Sequence, residues 1–158
     1  MSKPNVIIYT DGACRGNPGP GGYGVILMAG NNLKEISQGY KLTTNNRMEL
    51  LAVITGLEAL KKEGLRVEIF TDSKYVADAV EKGWLNTWIA TNFKGGKKNK
   101  DLWLHYHHLS SKQFIRIRWV KGHAENQYNN RCDELATAAA DGPGLLIDEG
   151  YVKIKNEK

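Results

Sequence analysis

The sequence predicts an α/β fold: a five-stranded mixed sheet flanked by helices. Three observations carry that expectation. Short β-branched and aromatic runs open the chain and recur at residues 66–70 and 114–120. Between the first and second of these, at residues 47–62, the apolar spacing lengthens to the three-to-four period of a helix. An alanine-rich helical stretch at 129–140 follows the last strand, and strands interleaved with helices fit a sheet covered by helical layers.

Taken in order, Val6-Ile7-Ile8-Tyr9 forms the first strand and runs into Thr10-Asp11. Residues 12–22, reading GACRGNPGPGG, form a Gly/Pro/Asn turn region. Strands at 23–28 and 33–42 follow, joined by Ala29-Gly30-Asn31-Asn32, whose Gly/Asn content suits positive φ. These three strands read as an antiparallel meander. Met48, Leu51, Ile54 and Leu57 mark the helix at 47–62, with Asn46 placed as its N-cap, Glu49 three residues on, and Gly64 as its stop. The fourth strand (66–70) leads through Thr71-Asp72-Ser73 into a short helix at 74–82. A second short helix spans 84–91, a basic loop 93–100, and a further helix 101–110. The fifth strand (114–120), a loop (121–127) and the helix at 129–140 complete the series, and Gly142-Pro143-Gly144 stops it. The expected division is a catalytic domain at 1–141 and a C-terminal extension or tail at 142–158. Tyr151, Val152 and Ile154 suggest one more short extended piece, or a mobile tail, within the extension.

The length of 158 residues fits one domain with its own core, and 41% hydrophobic with 25% charged residues is ordinary for a soluble chain. No apolar run has the length of a membrane span or of a signal-peptide core, so the expectation is a cytoplasmic monomer with no membrane or obligate protein partner. Cys14 and Cys132 are the only cysteines; they read as two buried or half-buried thiols, in no metal-binding spacing. Net charge is +5, unevenly placed: residues 94–121 hold eight Lys or Arg against Asp101 alone, and the remainder of the chain is net acidic. A basic region of that kind suits a polyanion, with acidic chemistry elsewhere.

That chemistry falls on four carboxylates at the ends of elements. Asp11 closes the first strand, Asp72 follows the fourth, and Glu49 and Asp133 lie in early turns of two helices. If the first and fourth strands are parallel neighbours, both aspartates leave the same end of the sheet. Four converging carboxylates resist joint ionisation, and two divalent cations would balance them. Hard oxygen ligands match Mg²⁺, with Mn²⁺ a substitute. Singly, each acid has a local alternative: turn former for Asp11, N-cap for Asp72, capping box for Glu49, exposed helical acid for Asp133.

Six stretches in order carry a family resemblance: YTDGACRGNPGPGGYG (9–24), TTNNRMEL (43–50), TDSKYV (71–76), DLW (101–103), WVKGHA (119–124) and NRCDELA (130–136). From residue 6 to about 141 the chain closely resembles bacterial ribonuclease H of type 1. The resemblance implies a ribonuclease H-like fold. It also implies endonucleolytic hydrolysis of the RNA strand of an RNA–DNA hybrid by two-metal-ion catalysis, leaving 5′-phosphate and 3′-hydroxyl ends. Cellular use would be removal of RNA primers and stray hybrids during DNA replication. It assigns the metal ligands to Asp11, Glu49, Asp72 and Asp133, and to His123 a catalytic part in proton movement or product departure, the former suited to imidazole near neutrality. Contacts to the hybrid fall on Cys14, Arg15, Gly16, Asn17, Asn45 and Asn46, with Thr44 at a DNA phosphate and Asn129 near the site. Amides can both donate to and accept from a 2′-hydroxyl. Lys94, Lys97, Lys98 and Lys100 supply phosphate attraction.

The chain departs from the family pattern at three places. Lys74 stands where many members have glutamine, the basic segment is shorter by about four residues relative to the best-known members, and Ala124-Glu125-Asn126-Gln127-Tyr128 replaces their Gly-His-Pro-Glu loop. Trp84, Trp88 and Trp103 can pack between helices or face substrate. Other readings are a different metal nuclease of the superfamily, a non-catalytic hybrid-binding module, or an accessory domain of a polymerase.

Overall fold

The computed structural model describes residues 3–121 and 126–156. Strands β1 (Val6–Cys14), β2 (Gly19–Ala29) and β3 (Asn32–Thr43) form the antiparallel meander, with Tyr9 opposite Ile26 and Val25 opposite Ile36. Strand β4 (Arg66–Thr71) runs parallel to β1, and β5 (Phe114–Trp119) parallel to β4, giving the order β3-β2-β1-β4-β5. The five-stranded mixed sheet is therefore as the sequence predicts.

Helices cover both faces. Helix α1 (Asn45–Glu58) lies on one face with α2 (Lys74–Glu81), α3 (Trp84–Ala90) and α4 (Lys100–Ser110) beside it; α5 (Gln127–Asp141) covers the other. Strand alternation assigns the side chains. Val6 and Ile8 enter the large cluster with Met48, Val53, Val76 and Trp103, whereas Tyr9 joins Ile26 and Cys132 beneath α5. Burial of these apolar surfaces, at roughly 25 cal/mol per Å², is what holds the layers together. Trp103 is fully buried and donates its indole N–H to the Tyr75 hydroxyl at 2.7 Å, while Trp88 packs against both rings. Those two tryptophans pack between helices; Trp84 remains exposed, with Lys82 Nζ 5.5 Å from its ring centre.

Four expectations change. The turn region contracts to residues 15–18, because glycine pairing extends β1 to Cys14 and starts β2 at Gly19. The N-cap of α1 is Thr44, whose Oγ1 accepts from Arg47 N at 3.3 Å, and not Asn46. Helix α1 ends at Glu58, so Gly64 serves the following loop, where its N–H donates to Lys112 O. The C-terminal segment is neither an extended piece nor a loose tail: α6 spans Glu149–Asn156, and Asp148 before it accepts from Tyr151 N. That cap, with main-chain bonds between residues 39–41 and Leu146, overrides the β preference of Tyr151, Val152 and Ile154.

No helix among the described residues is long and apolar enough to cross a membrane. Cys14 and Cys132 are free thiols; Cys14 donates to Gly19 O and Thr43 O, and Cys132 to Tyr9 O.

Candidate active site

Two glycines build the site before any charge enters it. A Cβ on Gly12 would lie 2.5 Å from Glu49 N, so α1 rests directly on the end of β1. Gly24, the cross-strand partner of Asp11, is equally crowded by Cys132 O and the Leu135 side chain, so α5 rests on β2 beside it. Missing side chains thus let two helices close on Asp11 from opposite faces. Glu49 and Asp133 come with them. On the remaining side, Thr10 Oγ1 donates to Phe70 O at 3.2 Å and ties β1 to the end of β4, where the chain turns into Asp72.

The turn after β4 is itself braced. Ser73 N donates to Thr71 Oγ1, Ser73 Oγ caps α2 by accepting from Val76 N, and the Trp119 indole N–H donates to Asp72 O at 2.9 Å. Carboxylate oxygens of Asp11, Glu49 and Asp72 consequently lie within 4.8 Å of one another. Asp133 lines the same cavity of about 230 Å³, together with Thr10, Gly12, Asn45, Asn129 and Asn130.

The electrostatics of this cluster are unfavourable for bare carboxylates. Burial, the neighbouring Asp72 charge and that of Asp133 push the Asp11 carboxyl up to about 8, against one lowering hydrogen bond from Gly12 N. Glu49 is raised well above its ordinary value, first by burial and then by Asp11 and Asp72. It is 5% exposed, and its Oε1 has no hydrogen-bond partner among the described residues. A buried, unpartnered carboxylate oxygen facing two like charges calls for a cation. The donor set is all hard oxygen, so it fits Mg²⁺ or Mn²⁺. The site can hold a divalent metal against a phosphodiester.

The other sequence-predicted residues divide clearly. Asn45 and Asn129 line the carboxylate cavity, and Asn129 Oδ1 is also buried without a partner among the described residues. Asn17 joins them through the backbone: its Oδ1 accepts from Asn45 N at 3.1 Å, fixing the 15–18 turn to the start of α1. Gly16 holds φ +83° in that turn. Arg15 is engaged by Asp141 through Nε at 2.8 Å and Nη2 at 2.9 Å, and Cys14 is half-buried on backbone carbonyls. Asn46 is exposed and Thr44 caps α1. Lys94, Lys97, Lys98 and Lys100 are exposed and do not line the cavity; Lys97 Nζ lies 5.9 Å from the Trp88 ring centre and Lys100 Nζ donates to Asn92 Oδ1. His123 lies outside the described residues.

Three contributors escape sequence reasoning. Asn130 lines the cavity one residue after Asn129. Trp119 braces Asp72, and Arg47 sits fully buried between Asn45 and Glu49. Arg47 falls inside the TTNNRMEL stretch, yet nothing local tells a buried arginine from a solvated one.

Comparison with known proteins accords with this geometry. The RNase H family matches residues 3–141. Ribonuclease H of Trichodesmium erythraeum is 51% identical over 153 residues, covering 94% of this chain and 97% of that relative. Ribonuclease H of Syntrophus aciditrophicus is 52% identical over 153 residues, covering 94% and 88%. Among solved structures, LC9-RNase H1, described as a type 1 RNase H with the type 2 active-site motif, superposes with a TM-score of 0.79 at 32% identity, covering 97% of this chain and 81% of that one. LC11-RNase H1 in complex with RNA/DNA hybrid gives 0.63 at 28% identity, covering 86% and 96%. With sequence, fold and acidic cluster in agreement, the chain belongs to the ribonuclease H family, as a type 1, bacterial-like member.

Proposed function

We propose that Asp11, Glu49, Asp72 and Asp133 are the ligand set with which this ribonuclease H hydrolyses the RNA strand of RNA–DNA hybrids. Cleavage leaves 5′-phosphate and 3′-hydroxyl ends. The observation that carries the reading is the trio of carboxylates within 4.8 Å of one another, one of them with a buried oxygen lacking any hydrogen-bond donor among the described residues. When bound, two divalent cations supply Lewis-acid activation of the attacking water and stabilisation of the leaving 3′ oxygen.

The chain's own residues do the rest. Asp11 and Glu49 are pinned by strand and helix backbone, so the anionic cluster is preorganised and needs no side-chain search. Asn45 and Asn129 line the cavity, where an amide can hydrogen-bond a ribose 2′-hydroxyl, a group DNA lacks. Asn46, Thr44 and the 14–17 segment adjoin that start of α1 and extend the contact to the hybrid. Lys94, Lys97, Lys98 and Lys100 attract backbone phosphate. His123, in the WVKGHA stretch before α5, moves the proton between product and solvent. Two free thiols suit a reducing, cytoplasmic setting.

The deciding experiment incubates labelled RNA–DNA, RNA–RNA, DNA–DNA and single-stranded RNA with the protein, each with Mg²⁺ and with chelator. Loss of the hybrid's RNA strand alone, and only with Mg²⁺, is the expected result. Equal cutting of RNA–RNA or of DNA would overturn the substrate assignment, and cutting in chelator would overturn the ligand set.

A further inference from the structure

We propose that Asp148, carried by the C-terminal segment beyond the family-matched residues, positions the substrate-facing start of α1 through Arg47 and Thr43. This rests on the reading above that Asn45 and its neighbours meet the hybrid.

Arg47 is 1% exposed, which for a permanent cation demands complete neutralisation and bonding. Its guanidinium achieves both. Nε donates to Asp148 Oδ2 at 2.8 Å and Nη2 to Asp148 Oδ1 at 3.0 Å; Nη1 and Nη2 donate to Asp101 at 2.9 and 2.8 Å; Nη1 also donates to Asn99 Oδ1 at 3.3 Å. Asp148 is 6% exposed and equally saturated, since Oδ2 also accepts from Thr43 Oγ1 at 2.6 Å and Oδ1 from Tyr151 N at 3.2 Å. One carboxylate therefore caps α6, neutralises Arg47 and holds the end of β3.

The segment bearing it is seated independently. Leu146 N donates to Gly39 O and Lys41 N to Leu146 O, a short strand-like seam along β3. Gly150, in the first turn of α6, lies so near Asp101 and Arg47 Nη2 that a Cβ there would collide with both. Helix α6 is thus a lid on the ion pair.

What this network touches decides its role. Thr43 precedes Thr44, which caps α1, and Asn45 follows and lines the cavity. Asn99 lies within the lysine-bearing segment 94–100, between Lys98 and Lys100. Both surfaces assigned to the hybrid are therefore rooted on one guanidinium. Glu49 has separate support, from the Gly12 contact and the buried Met48. Loosening Asp148 accordingly frees substrate-facing backbone while leaving the carboxylates in place.

The test is Asp148→Asn, isosteric but unable to accept from both edges of Arg47, assayed on the RNA–DNA hybrid well below the variant's Tm. Expected is a rise of about fivefold or more in hybrid KM, with kcat and the Mg²⁺ half-saturation within about twofold of the parent. Glu149→Gln, a neighbouring exposed acid, should change none of these. A fallen Tm with unchanged KM would make Asp148 purely structural and overturn the proposal; so would a loss confined to kcat or Mg²⁺ response. Should Asp148→Asn not fold, Gly150→Ala wedges the same ion pair without removing charge, and the same KM criterion applies. An inactive parent protein would instead sink the hybrid-cleavage reading itself, which distinguishes the two failures.

Discussion

The Trp119 indole nitrogen donates to the main-chain carbonyl of Asp72 at 2.9 Å, and Lys74 Nζ sits 4.8 Å from the centre of the same ring. The edge strand β5 thereby braces the turn that presents a candidate metal ligand. The lysine that departs from the family's glutamine is engaged on the face of that brace.

Trp119→Phe keeps a ring under Lys74 and deletes the bond to Asp72. A supporting bond of this kind is worth up to about tenfold in metal affinity, so the Mg²⁺ concentration for half-maximal cleavage should rise with little change in KM for the hybrid. An unaltered Mg²⁺ titration would show that the turn holds Asp72 without help.

Asp11→Asn should abolish cleavage and, in chelator, raise the melting temperature. The carboxyl moves from an ordinary 3.8 to about 8 on folding, through burial and the Asp72 charge. Its contribution to stability is fully present below the unfolded value and is lost as pH rises through the folded one, so near neutrality the metal-free fold bears the cost of keeping protonated a carboxyl that the unfolded chain ionises. The neutral amide removes that cost, at about 2–4 °C of Tm for each kcal/mol recovered. Calorimetry in chelator at pH 7 and again at about pH 4 should show the gain shrinking in acid. A variant that is less stable than the parent at both pH values would contradict this account.

Asp101 titrates in the opposite sense. Burial would raise its carboxyl, but the hydrogen bonds and charge of Arg47 outweigh burial and hold it below the ordinary value. Its contribution is present above the unfolded value and disappears as pH falls through the folded one. Asp101→Asn should therefore cost stability at neutrality, and the gap from the parent should narrow as pH falls below the ordinary carboxylate range, about 4. Denaturant melts from neutrality into acid check it, and a constant gap would refute the ion-pair assignment.

Replacing Lys97, Lys98 and Lys100 by alanine should weaken hybrid binding while sparing kcat at saturation. The slope of log affinity against log salt should fall by about one for each phosphate that is no longer neutralised. Fluorescence anisotropy of a labelled hybrid over a salt series provides the measurement; an unchanged slope would remove these lysines from the interface.

The site is legible in the sequence where chemistry and local pattern coincide. Asp72 follows β4 as expected, and Glu49 and Asp133 fall in the second turns of α1 and α5, although β1 runs three residues beyond Asp11, where the sequence ended the strand. The Arg47–Asp148 pair is not legible. Its members are 101 positions apart, and each looks locally like an ordinary solvated charge. Helix α6 escapes for the same reason: Tyr151, Val152 and Ile154 favour a strand, and the carboxylate that caps the helix owes its role to a distant arginine. Sequence period reports what a segment prefers alone; long-range burial decides what it does. The proton-carrying role expected of His123 rests on its motif, since the residue lies outside the described structure.

The glycine contacts beneath the cluster set how far apart the acids stand. Main chain meets main chain where α1 lies on Gly12 and α5 on Gly24, so the spacing of the acids is set by backbone thickness and not by side-chain volume. Enlarging either glycine by a single methyl would spread the carboxylates apart directly. Gly22 and Gly39 meet the α5 backbone in the same way, so these positions together act as the gauge blocks of the site.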